Sequence, residues 1–292
     1  MTEQNKINLP VSIVIPSIGE PTLEKVFNAF KSSKYQIDEI LVIIPEEYSQ
    51  PHHQNHENIK YIFTNFKGQV KQRIFGFKKA KNNIILQLDS DCYISSEDTA
   101  SLYYDLIKIG PKNSIGPVYI DVNTRECIHK FRTDFVSSIK RLITYIICGA
   151  KFGKKRMGTI SKVGSNYGVD PNFINERLYQ SEWIPGGCAI YFKEDLILDN
   201  YFPFKGKAYC EDLIHSFHLK KNLINLWIST DSVCYTPTPV FPHTAIEIKK
   251  YLDAYKYYID IQTSGFYVKY RFKLWFFLTM IRRMNIQVFN KR

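Results

Sequence analysis

Two aspartates one residue apart, in Asp89-Ser90-Asp91, close the apolar run Ile84–Leu88. Carboxylates so placed on one turn can share a hard divalent cation, Mg2+ or Mn2+, which prefers oxygen ligands and leaves positions open for phosphate oxygens. The same tripeptide also arises where a buried strand simply ends in an Asx-turn. A second acidic pair, Glu211-Asp212, comes roughly 120 residues later and opens the stretch LIHSFHLKK. Acids at a helix start complement the positive end of its dipole. A carboxylate held ionised there can also act as a general base toward a hydroxyl. Between the two pairs lies Trp183-Ile184-Pro185-Gly186-Gly187-Cys188. Its glycines are either a tight turn or a place where backbone approaches a bulky ligand, and Trp183 offers a flat apolar face to a sugar ring. Lys67 and Arg73 stand upstream of the aspartates, either solvated or within reach of a phosphate. His243 comes after three prolines and could ligate a metal or be merely exposed.

The elements that must position these groups read as alternating strands and helices. Residues 11–16 and 40–44 are short, β-branched and apolar, as buried strands are, and residues 59–63 read as a third strand. Pro16-Ser17-Ile18-Gly19 breaks the first, and Leu23, Val26, Phe27 and Phe30 then recur at helical spacing. Residues 69–80 read as a helix and Ile84–Leu88 as the next strand. Ser95 is placed to cap a helix with Glu97 and Asp98 in its first turn. Residues 135–148 are apolar with Lys140 and Arg141 inserted. Strands are expected at 115–122, 188–192 and 224–228 and a helix at 213–219, with a mobile Gly- and Lys-rich loop at 151–168. Alternation of this kind implies an α/β fold with a mostly parallel sheet, whose ligands bind at the carboxyl ends of the strands. Pro16-Ser17 and Asp89-Ser90-Asp91 fall at such ends.

The whole chain sets the bounds. Its 292 residues, 45% hydrophobic, suffice for a large core. The net charge of +11 calls for an acidic partner such as phosphates, nucleic acid or anionic lipid. Six scattered cysteines without a C-x-x-C pair read as reduced thiols, and no zinc spacing is present. The first ten residues read as no signal peptide, and no stretch has the ~20 apolar residues of a spanning helix. A cytoplasmic protein is expected.

Taken in order, VSIVIPSIGEPTLEKVFNAF, KGQVKQRIFGFKKAKNNIILQLDSD, WIPGGCAIYFKED, AYCEDLIHSFHLKKN and CYTPTPVFPH resemble family 2 glycosyltransferases of the GT-A fold, over residues 9 to 245. The type resembled is the bacterial surface-polysaccharide one. The resemblance implies a Rossmann-like sheet flanked by helices, spanning 1–245, and a metal-dependent inverting transfer from a nucleotide-sugar to a hydroxyl of a glycan or lipid-linked acceptor. It implies a hexosyltransferase-like enzyme with Mn2+ or Mg2+ as cofactor. By the same resemblance Pro16, Ser17 and Gly19 line the nucleotide pocket, with Lys67 beside them. Arg73 supports the nucleotide or the aspartate turn. Asp89 and Ser90 face the donor, Asp91 and Asp89 hold the metal with His243, and Gly186 and Gly187 border the donor sugar. Asp212 is the base, with Glu211 the neighbour that could replace it. Where many relatives end the second strand in base-reading acids, this chain has Pro45 before Glu46 and Glu47; a UDP-sugar is weakly preferred.

Residues 246–292 form a basic, aromatic-rich helical extension. It is expected either to pack on the catalytic domain or to lie on the inner face of the cytoplasmic membrane, an anionic surface. Two rival functions are a sugar nucleotidyltransferase and a non-enzymatic protein binding nucleic acid or lipid. PSIGEPT lacks the cations of the first rival's phosphate loop. The basic excess flanks an apolar segment rather than a reading surface, so no nucleic acid partner is expected.

Overall fold

The computed structural model describes residues 6–30, 34–49, 58–238, 242, 244–262 and 265–289. The chain runs β1 (Ile7–Pro16), α1 (Thr22–Asn28), β2 (Tyr35–Pro45), β3 (Ile59–Thr64), α2 (Gln69–Lys79) and β4 (Ile84–Leu88). Next come β5 (Tyr93–Ile94), α3 (Ser96–Ile109), β6 (Asn113–Asp121), α4 (Phe135–Cys148), β7 (Leu178–Ser181) and β8 (Cys188–Phe192). α5 (Glu211–Lys221), β9 (Asn225–Thr236), α6 (Ala245–Gln262) and α7 (Phe266–Phe289) complete it.

One nine-stranded sheet carries the fold, in the order β3-β2-β1-β4-β8-β6-β9-β5, with β7 also on β9. β3, β2, β1 and β4 are parallel, as the alternation of strands and helices implies. Beyond β4 the sheet is mixed, because β8 enters antiparallel to both β4 and β6. Alternate residues of β1 serve two cores. Ile13 and Ile15 join Leu23 and Val26 of α1 and Leu102 and Leu106 of α3. Val14 faces the other way, toward Phe77 of α2 and Leu219 of α5. Covering both faces explains why these strands are continuous apolar runs rather than alternating ones.

Local signals end the elements where expected. Ser95 caps α3, its hydroxyl accepting from the Asp98 N–H at 2.9 Å. α2 approaches the sheet closely because Gly76 faces it: a Cβ there would meet Val14 Cγ1 at 2.4 Å and Ile43 Cγ1 at 3.0 Å.

Two expectations change. The 151–168 segment is packed rather than loose, with Met157 and Val163 buried and a bridge pairing Ile160 with Asn166. β9 continues to Thr236, well past the apolar 224–228, because pairing with β6 and β5 holds its second half. Of the two placements expected for the C-terminal extension, packing is seen: Tyr255, Tyr258, Ile259, Phe272 and Phe276 share a core with Val70, Trp183 and Leu213.

Gly76→Val should destabilise the fold by about 1–3 kcal/mol, as overpacking does. Urea unfolding of the two proteins checks this.

Candidate active site

Sheet register assembles the site. β4 pairs with β8 so that Leu88 stands opposite Cys188. The residue after Leu88 therefore lies beside the residue before Cys188, and the Asp89 N–H donates to the Gly187 carbonyl at 2.7 Å. Two motifs nearly a hundred residues apart in sequence thus touch through backbone. Neither glycine can be enlarged without movement. A Cβ on Gly186 would sit 2.6 Å from Glu211 Oε2, and one on Gly187 would sit 2.8 Å from Cys92 Sγ.

Arg73 projects from α2 between the two acidic motifs and is 1% exposed. One end of its guanidinium donates to Asp89 Oδ1 at 2.5 Å, the other to Glu211 Oε2 at 2.8 Å. Of its two expected roles, Arg73 takes the support of the aspartate turn; so enclosed, it has no surface to offer a nucleotide. Gln69, one turn earlier, also donates to Asp89 Oδ1, at 3.0 Å. Gln72 donates to the carbonyls of Ser17 at 2.9 Å and Ile43 at 2.6 Å, tying the carboxyl ends of β1 and β2 to α2.

Glu211 and Asp212, adjacent in sequence, have opposite environments. Glu211 is 4% exposed and accepts from Arg73 and from the Tyr201 hydroxyl. Burial alone would push its carboxyl up. The Arg73 charge foremost, with the Tyr201 hydroxyl, outweighs this and holds it below its ordinary value. Behind it the His215 ring stacks on Tyr201 at 5.0 Å. Burial lowers this histidine to about 4, so it is neutral. Both Glu211 oxygens are thus engaged, one in the ion pair and one by the Tyr201 hydroxyl. Asp212 has no cation partner among the described residues, and its Oδ1 accepts only from the N–H of Leu213, at 2.9 Å. Burial, and next the Glu211 carboxylate, push Asp212 up to about 7. Cys210, at φ 59, turns the chain left-handed just before this pair.

At the rim, the Ser17 hydroxyl donates to the Glu20 carboxylate and accepts from the Gly19 N–H at 2.8 Å. This turn continues directly from Pro16, the last residue of β1. Ser90 is the half-buried middle of the aspartate turn. Asp91 is exposed and unpaired by any Lys or Arg among the described residues. Loss of water, then the Asp89 charge and more weakly Glu20, push its carboxyl up. An acid raised by its acidic neighbours suits a hard divalent cation, which would remove the repulsion. Asp89 Oδ1 is already taken by Arg73 and Gln69, so Asp91 is the better protein ligand. His243 lies outside the described residues. Among those described, no group of three His, Cys, Asp or Glu is arranged to hold a metal.

Lys67 does not join the aspartates. It donates to the Tyr48 hydroxyl and lies 3.6 Å from Glu47, beyond the end of β2. Trp183 is no open sugar platform: it is 3% exposed, with its indole N–H on the Tyr167 carbonyl at 3.1 Å. The six cysteines are free thiols. Sequence reasoning missed Gln69, Gln72, Tyr201 and His215. His215 carried a signal, four residues after Glu211 on one helix face; Tyr201, on an irregular segment, carried none.

Arg73→Met should cost about 3–5 kcal/mol, because two carboxylates lose their cation. Glu211, held low in the fold, contributes stability that is present above about pH 4.3, the unfolded value, and lost as pH falls through its folded value. The deficit of the variant should therefore be wide at pH 7 and narrow in acid. Urea unfolding across pH measures it.

Residues 12–143 match the family described as glycosyl transferase family 2. No curated protein matches the sequence. Among solved structures the fold is similar to GalNAc-T7 with UDP, GalNAc and Mn2+, at a TM-score of 0.56 and 17% identity, over 87% of this chain and 48% of that one. It is also similar to S. aureus TarS 1-349 in complex with UDP-GlcNAc, at 0.51 and 15%, over 84% of this chain and 64% of that one. The chain thus spans about half of the first and under two thirds of the second. At such identities the likeness is one of fold. The family match runs from β1 through the aspartate turn into α4, and the fold likeness extends over most of the remaining residues: residues 12–143 are similar to glycosyltransferase family 2, and the chain has the GT-A fold.

Proposed function

We propose that the protein is an inverting, hexosyltransferase-like enzyme that moves a sugar from a nucleotide-sugar to a hydroxyl of a glycan or lipid-linked acceptor. The carrying observation is the split between Glu211 and Asp212. One carboxylate locks the aspartate turn through Arg73; the other stands beside Gly186, half-buried, pushed up to about 7 and in no ion pair among the described residues. A base of that strength matches a proton transfer near neutral pH.

In this reading the donor lies over the carboxyl ends of β1, β2 and β4. The turn at Pro16, Ser17 and Gly19 borders the nucleotide, and Asp89 and Ser90 face its ribose or diphosphate. UDP is the favoured nucleotide, being present in both similar structures. Asp91, with Asp89 and His243 as further candidates, would hold Mn2+ or Mg2+, which when bound offsets charge on the departing diphosphate. Gly186 and Gly187 leave room for the sugar. Asp212 takes the acceptor proton as the acceptor oxygen attacks the anomeric carbon. The bond to the diphosphate oxygen breaks on the opposite face, and configuration inverts. Surface-polysaccharide assembly on the cytoplasmic side is the setting that suits such an acceptor.

Asp212→Asn should lower kcat by at least about 10³-fold while donor affinity survives; the loss of a general base alone accounts for about 10²–10⁴. In the parent, kcat/KM should rise with pH through about 7. The same substitution should raise the melting temperature. Asp212 is raised in the fold above its unfolded value near 3.9, so its ionisation opposes folding increasingly from about pH 4 to 7. The gain from Asn should be large at pH 8 and absent near pH 4. Near-normal turnover of Asp212→Asn would sink the base assignment. Asp91→Asn should abolish the extra thermal shift that Mn2+ adds to UDP-sugar binding, leaving the metal-free shift unchanged.

A further inference from the structure

α4 is folded inside out. A surface helix of a water-soluble domain turns its apolar stripe inward and its polar face to water. Here Phe135, Val136, Ile139, Leu142, Ile143 and Ile146 face outward, with Phe135 79% and Ile146 62% exposed. The inward side carries Ser137, Ser138, Arg141 and Thr144, and within the helix only Cys148 is buried. These polar groups are satisfied locally. Ser138 donates to the Asp134 carbonyl at 3.0 Å, Arg141 donates to the Ser138 hydroxyl at 2.5 Å, and Thr144 donates to the Arg141 carbonyl at 2.9 Å. Positions 135, 139, 142, 143 and 146 keep helical spacing, so the exposed side chains form one stripe rather than scattered singles.

The stripe does not end with the helix. Phe152, 57% exposed, rests edge-on against Tyr145. α7 lies alongside, its Arg271 Nε–H donating to the Ile147 carbonyl at 2.9 Å. α7 adds exposed Tyr267, Tyr270, Leu274, Phe277 and Leu278. Neither α4 nor α7 contains an aspartate or glutamate. Lys140, Lys154 and Lys155 are exposed on or just after α4, and Lys273 on α7. No helix among the described residues is long and apolar enough to cross a membrane.

We propose that α4, extended by Phe152 and the outer face of α7, is a docking surface for an anionic lipid bilayer, seated at the headgroup boundary. Charge complementarity selects this occupant. Apolar side chains enter the acyl boundary, while lysines on the rim meet anionic headgroups. A second copy of the chain would set the same exposed lysines against these, and neither helix carries an acid to meet them. The inference stands on α4 and its surroundings and is independent of the transferase reading.

The test is sedimentation with phosphatidylcholine vesicles containing about 30% phosphatidylglycerol, against pure phosphatidylcholine, over a salt series. The protein should bind the anionic vesicles, bind the zwitterionic ones at least about tenfold more weakly, and lose affinity as salt rises. Ile139→Glu/Ile143→Glu should weaken anionic binding at least about tenfold with an unchanged melting temperature. Should that pair disturb folding, Phe135→Ser/Leu142→Ser makes the same comparison without added charge. No binding to anionic vesicles, or equal binding by a folded variant, overturns the proposal. So does a vesicle-free dimer that these substitutions dissolve.

Discussion

A single buried guanidinium between two carboxylates organises this molecule. Arg73 comes from α2, Asp89 from the end of β4 and Glu211 from the start of α5, so three elements far apart in sequence meet at one cation. In a site with almost no water, none of the three charges is tolerable alone. The requirement is mutual: α2 must sit close to the sheet, which Gly76 permits, and the aspartate turn must face α5. Charge neutrality therefore fixes the spacing of the candidate site as firmly as apolar packing fixes the sheet beneath it.

The division of labour between neighbouring acids comes from that arrangement. Glu211 spends both oxygens on Arg73 and Tyr201. Its negative charge, retained by the ion pair, is one of the two influences that raise Asp212. A structural carboxylate thus tunes the one beside it. At the other end, Asp89 is anchored by Arg73 and Gln69 and in turn raises Asp91, an exposed acid with no cation partner among the described residues. Each anchored acid thus has a less satisfied neighbour, and these two neighbours are the groups proposed for proton transfer and metal binding.

The C-terminal helices and α4 extend the same logic to the surface. Aromatic residues of α6 and α7 fill a core with Val70, Trp183 and Leu213, so the extension braces the elements that carry Arg73 and Asp212. What α4 and α7 leave outside is largely apolar, and neither helix contains an acid. The sequence marks Phe135–Cys148 as apolar with basic residues inserted, but such a pattern has no sign. It cannot say which face turns inward; packing against the rest of the fold does, burying Cys148 and setting α7 beside Ile147.

From the sequence by itself came the apolar runs at 11–16, 40–44 and 84–88, the Ser95 cap, and the placing of Asp89-Ser90-Asp91 at a strand's carboxyl end. These are local facts, determined by side-chain pattern and turn chemistry within a few residues. The family order of motifs pointed to Arg73, the glycine pair and Glu211-Asp212, but left their roles open between alternatives. Only tertiary structure gave them different surroundings. It buried Arg73 between Asp89 and Glu211, separated Glu211 from Asp212 by environment, buried Trp183, and drew Lys67 to Glu47 and Tyr48. The reason is physical: a carboxylate's role depends on which charges and how much water surround it. Those neighbours arrive through strand register and helix packing across a hundred residues or more, where no local pattern records them.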